Sequence, residues 1–215
     1  MANWTQTDGE NAGFADILRN FSSMLQDGRH IFDAATNALV GGTDPETIRE
    51  DLFSTDQRIN RTEQRIRRQI VVHGTVHGAQ SFPSLLIMMS LAKDAERIGD
   101  YCKNIFDLAA LAPDLGSKED RAIIVHRKDR VSALLGDARD MFDAQDEKRA
   151  RTLLADCDKV ENECDAALVQ AVRDNGSGAA GLALSNRYLK RVASHTANVA
   201  TSLVMPLDKL DFFDE

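Results

Sequence analysis

The sequence predicts an all-α protein built as two tandem antiparallel three-helix bundles, the second a diverged repeat of the first. Three observations lead there. Apolar residues recur at three- and four-residue spacing through most of the chain, whereas strand-like alternation is hard to find with 4 prolines and 6% aromatics. Turn-forming clusters interrupt the helical pattern at regular intervals. The third and the last helical stretches also share a register when one is shifted by 94 residues.

The elements follow in order. Residues 14–39 run into Gly41-Gly42-Thr43-Asp44-Pro45, where glycines end one helix, Asp44 caps the next and Pro45 suits its first position. The second helix, 45–76, ends at Gly78-Ala79-Gln80-Ser81-Phe82-Pro83, and the third, 83–111, ends at Ala112-Pro113-Asp114-Leu115-Gly116-Ser117. Ser117 and Asp120 have capping-box spacing and open the fourth helix, 118–142. Asp143-Ala144-Gln145-Asp146 leads into the fifth, 146–173, and Asp174-Asn175-Gly176-Ser177-Gly178 into the sixth, 180–205. Turns this short make neighbouring helices antiparallel. A division near Pro113 then gives an N-terminal tail at 1–13, a first bundle at 14–113, and a second at 114–215 that carries a C-terminal tail.

Within the third helix, Leu85, Met88, Ala92, Ala95, Gly99, Cys102, Phe106 and Ala109 form an unbroken 3-4-3-4 seam whose small residues let helices approach closely. The 94-residue shift lands on Leu182, Leu189, Ala193, Thr196, Ala200 and Leu203, and more than hydrophobicity repeats. Arg97 maps onto Arg191 and Asn104 onto Asn198, while in the second helix of each half Ile59 and Glu63 map onto Val160 and Cys164 at an offset of 101. The seven-residue difference is two helical turns, so a shorter second hairpin keeps its faces aligned.

Charge and cysteine usage narrow the function classes. With 26 Lys+Arg against 34 Asp+Glu the net charge is −8, so general binding of nucleic acid or anionic lipid would work against the chain's own field. No apolar run approaches the ~20 residues of a membrane span. The first residues lack the basic and apolar pattern of a secretory signal, so a cytoplasmic location is expected. Cys102, Cys157 and Cys164 are odd in number; the last two, seven apart on one helix, stand ~10.5 Å apart along its axis, too far for a disulfide.

The chemistry-bearing candidates cluster in Asp94-Ala95-Glu96-Arg97-Ile98-Gly99-Asp100. The seam turns Ala95 and Gly99 inward, which leaves Glu96 at the edge of the buried stripe and Asp100 one turn further on, facing outward. Carboxylates four residues apart lie on one face and repel. A bridging cation relieves that repulsion, and oxygen donors suit Mg, Mn, Ca or ferric iron. A solvated face, with Lys93, Arg97 or Lys103 neutralising the acids, is the competing reading.

The string Asp94 to Ile105, with its E-R-I-G-D core, resembles the signature helix of the PhoU family of phosphate-uptake regulators, and Asp56-Gln57-Arg58-Ile59-Asn60-Arg61-Thr62-Glu63 is similar to that family's preceding helix. Through the repeat the resemblance extends from about Phe14 over nearly the whole chain. It implies a cytoplasmic, non-catalytic adaptor that couples a phosphate ABC transporter ATPase to a sensor histidine kinase and holds the phosphate-starvation response off. It also implies self-association, contact with the membrane through partners only, and a divalent or ferric ion (Mg, Mn, Zn or Fe) on the motif carboxylates. The expected ligands are Glu96 and Asp100, with Asp94 and Asn104 as further candidates. The second copy has Lys190 and Ser194 where the first has the two acids, so no second metal site is expected.

The remaining features read more plainly. His73 and His77 have the spacing of two ligands on one face, but flanking Gly74 and Gly78 favour a frayed helix end; His195 reads as a helix-surface residue, and His30 and His126 have no evident partner. Arg58, Arg61, Arg65, Arg67 and Arg68 spread over several faces of the second helix and either pair with nearby acids or dock an acidic partner. The end of the chain, from Asp208, mixes acidic and apolar residues and either packs on the bundle or presents a tail. The Glu-x-x-His pairs of di-iron oxidases, phosphate loops and nucleophile elbows are missing, so no enzymatic turnover is expected. A metal-free helical adaptor for another transporter is the alternative function.

Overall fold

The expected helix boundaries are set by capping chemistry that the structure shows directly. The Asp44 carboxylate accepts from the Glu46 amide at 3.0 Å with Pro45 at the first helical position, Ser117 and Asp120 form a reciprocal capping box, and Asp146 accepts from the Arg149 amide at 3.0 Å. Left-handed Gln145 (φ 52°) and Asn175 (φ 44°) close the fourth and fifth helices. The computed structural model describes residues 12–211: α1 (Ala12–Val40), α2 (Pro45–His77), α3 (Phe82–Ala110), α4 (Lys118–Ala144), α5 (Glu147–Asp174) and α6 (Ala179–Val204), with 3₁₀ turns at Ala79–Ser81 and Leu207–Lys209. Every helix end lies within two residues of its expected place. Among the described residues there is no strand, and no helix is long and apolar enough to cross a membrane.

α1, α2 and α3 pack on one another, as do α4, α5 and α6, giving the all-α fold of two related three-helix bundles. The two triplets are not merely strung together. α3 lies along α6 and α1 along α4, and the buried apolar side chains of both form one continuous core. Phe21 of α1 meets Phe142 of α4 edge-on, ring centroids 4.7 Å apart, and both are fully buried. Side chains of this size contribute roughly 1.5–3 kcal/mol each by leaving water.

Gly74 shows why the end of α2 does not fray. It is buried, and an added Cβ would stand 3.1 Å from Phe82 and 3.2 Å from Leu85, so its missing side chain makes room for the start of α3. The helix continues through His77 and closes with the Gly78 amide donating to the Gly74 carbonyl at 3.0 Å. His73 is accordingly buried beside Phe14, correcting the expectation of an exposed helix end. All three cysteines are free and buried; burial raises each thiol pKa, that of Cys164 to about 11. At the C-terminal side Leu210 is buried in the core, so that part of the tail packs on the bundle, while residues 212–215, like 1–11 of the N-terminal tail, lie outside the described residues.

Candidate functional site

The seam of α3 places Gly99 against α1 and α2, where an added Cβ would stand 3.4 Å from Ile59, 3.5 Å from Asp56 and 3.8 Å from Ile31. This approach brings the polar edge of α3 against that of α2. Asp56, Asn60 and Glu63 from α2 and Glu96, Asp100 and Lys103 from α3 form one charged face. The Lys103 Nζ bridges the helices, 3.2 Å from the Asp56 carboxylate and 3.0 Å from that of Asp100. Burial works against the Lys103 charge, but its bonds to Asp100 and Asp56 outweigh this and its pKa is raised. Asn60 donates to Asp56 at 3.2 Å.

Glu63 is the residue at this face that acid-pair spacing did not pick out, because its partners sit on another helix. It is buried, with one oxygen 2.7 Å from Arg67. Burial first, and then the charges of Glu96 and Asp100, push its carboxyl upward against the pull of Arg67 and Lys93. The signal available in the sequence was the second-helix string itself, in which Glu63 was present.

Glu96 stands where the spacing put it, at the edge of the buried stripe with its side chain 13% exposed, whereas Asp100, expected to face outward, is 30% exposed and shares Lys103 with Asp56 of α2. Each holds a cation: Lys93 is 2.5 Å from Glu96, and Arg97 and Lys103 are 3.3 Å and 3.0 Å from Asp100. These are the three neighbours named in the competing reading. The donor chemistry suits a hard cation, but among the described residues no three His, Cys, Asp or Glu groups are assembled to hold one. Asn104 lies a turn beyond, exposed, on the wall of an open cleft shared with Phe53, Asp100 and Asp107. In the second copy Lys190 pairs with Asp165, and buried Cys164 takes the place of Glu63, so among the described residues that half presents no comparable acidic face.

Asp94 faces elsewhere. It is buried between the bundles, and one of its oxygens accepts both from His195 Nδ1 and from the Asn198 amide of α6, each at 2.9 Å. His195 Nε2 lies 3.4 Å from an Arg191 Nη, the Arg191 Nε donates to the Tyr101 hydroxyl at 3.1 Å, and the Tyr101 ring stacks on that of His195. His195 is thus a largely buried bridge and not a surface residue. His30 also has a partner, Asp51 at 2.6 Å.

The comparisons with known proteins agree with this architecture. Residues 21–109 match the family model described as the PhoU domain. The crystal structure of PhoU from Pseudomonas aeruginosa superposes with a TM-score of 0.79 at 20% identity, covering 90% of this chain and 96% of that one. That of the phosphate transport system regulatory protein PhoU from Streptococcus pneumoniae gives 0.72 at 17% identity, covering 91% and 96%. No curated protein sequence matches the chain. Residues 21–109 thus match the PhoU domain, and the fold of the solved PhoU structures extends over nine-tenths of the chain.

Proposed function

We propose that the chain is a cytoplasmic regulator of phosphate transport that couples a phosphate ABC transporter ATPase to a sensor histidine kinase and keeps the starvation response off when phosphate is plentiful. The observation that carries this is the PhoU-domain match, which ends in the helix bearing Glu96 and Asp100. The chain acts by binding and not by turnover, and it works as a homo-oligomer, as the family resemblance implies. Deletion in the source cell, with transcription of a phosphate-regulated gene as readout, tests it. Derepression in phosphate-rich medium is expected, and an unchanged response counts against the reading.

The α2–α3 face is the proposed cation site. Glu96 and Asp100 supply the oxygens, with Glu63 opposite them, and a divalent or ferric ion takes over the place that the Lys93 and Lys103 ammonium groups hold on these carboxylates. Metal content after chelator washing and reloading, in the natural protein and in Glu96→Ala/Asp100→Ala, decides it; equal content in both removes the site. The second reading, a metal-free adaptor for another transporter, is favoured by those same ion pairs, which already neutralise the acids.

A further inference from the structure

Opposite the carboxylate face, α2 carries a stripe that nothing in the regulator reading uses. Of the five arginines on this helix, Arg58 is spent on Asp27 at 2.7 Å and Arg67 on Glu63 at 2.7 Å. Among the described residues Arg61, Arg65 and Arg68 have no carboxylate in ion-pair reach. They are exposed, and with Val72 and Val76 they follow a 4-3-4-4 spacing that places all five within about 80° of one another around the helix. Val72 and Val76, one turn apart, are 63% and 70% exposed and extend the arginine stripe with an apolar end. Arg65, Arg68, Gln69, Val72 and Val76 also line a groove of about 320 Å³ that has Gly13, at the start of α1, on its rim.

We propose that this groove docks an amphipathic helix of a partner protein, acidic over the turns that meet Arg61, Arg65 and Arg68 and aliphatic over those that meet Val72 and Val76. Charge complementarity selects that occupant. In a chain of net charge −8 most of the surface repels an acidic segment, so an unpaired arginine trio is a local attractor, and guanidinium forks match carboxylates in two-point geometry. The anchors are spaced as helix-in-groove recognition requires. A membrane fits less well: a flat bilayer does not fill a concave groove, and valine reaches less deeply than the Trp, Phe and Leu of interfacial helices. The proposal goes beyond the phosphate reading and stands on a different face of the molecule.

The test uses the full chain and a labelled synthetic helical peptide with three glutamates and two leucines at the complementary spacing, beside a scrambled peptide of the same composition. The natural protein binds the patterned peptide at least tenfold tighter than the scrambled one, and raised salt weakens binding. Arg65→Glu/Arg68→Glu loses tenfold or more with an unchanged circular dichroism spectrum and melting temperature, and a peptide with lysines for the glutamates restores it. Val72→Asp weakens both peptide pairs. Equal binding of patterned and scrambled peptides, or failure of the charge swap to rescue, overturns the proposal. Two further results also overturn it: vesicles rich in phosphatidylserine binding in an arginine-dependent way while the peptide does not, and Arg65→Glu/Arg68→Glu dissociating an oligomer of this chain.

Discussion

Asp94 of α3 and His195 of α6 lie 101 residues apart in sequence and share a 2.9 Å hydrogen bond inside the molecule, so the first bundle is tied to the second by a buried charged group and not by apolar contact alone. Asp94→Ala leaves the His195 ring and the Asn198 amide without their shared acceptor. Stability should fall by about 1–3 kcal/mol, which for a chain of this size lowers the melting temperature by roughly 2–4 °C per kcal/mol. Calorimetry checks this, and a change under half a degree shows the bridge to be incidental.

Asp211 reports on the same bridge. Burial, and then the nearby Asp94 charge, push its carboxyl up to about 6, while His195 pulls it down. Asp94→Asn should therefore lower the Asp211 pKa and His195→Ala should raise it. Carbon-detected NMR titration of the Asp211 side chain reads both, and shifts of the opposite sign remove the assigned causes.

Glu63 gives a stability prediction with a definite sign. A carboxyl raised in the folded state binds its proton more tightly there than when unfolded, so its favourable effect is full below the unfolded value of about 4.3 and is lost as pH rises through the folded value. Glu63→Gln should remove that decline and leave the protein no less stable at neutral pH despite the lost pair with Arg67. Denaturant midpoints from pH 4 to pH 8 compare the two; a loss above about 1 kcal/mol at pH 7 means that the ion pair outweighs burial.

Gly99→Ala is expected to be tolerated and even stabilising, by about 0.5–1 kcal/mol from helix propensity. The new Cβ meets Ile59 at 3.4 Å, an ordinary contact, and the corresponding residue of the second copy is Ala193. Gly99→Val brings two further carbons into the same space and should destabilise; equal stability of both variants shows that the helices are free to part here.

Helix placement was legible because it is local chemistry: Asp44, Ser117 and Asp146 announce starts that the backbone cannot ignore, and the α3 seam fixes which side turns inward. The position of Glu96 at the edge of that seam followed from the same periodicity. What periodicity does not encode is contact between distant segments. His195 reads as surface if α6 is considered alone and becomes interior only because α3 lies along it. Glu63 joins the two acids only across a helix pair, and His73 is buried because α3 begins beside the glycine that looked like a weakness. The repeat was visible, yet it did not announce that its second copy keeps Arg191 and Asn198 to grip the first.

The single core that runs through α1 with α4 and α3 with α6 makes the peptide link at Pro113 dispensable for cohesion. Nicking the backbone beside solvent-facing Leu111 would sever the covalent thread yet leave two fragments that travel through a sizing column as one particle. Neither half is a module to be cloned out and studied alone, since each would bare to water the flank its sibling normally seals.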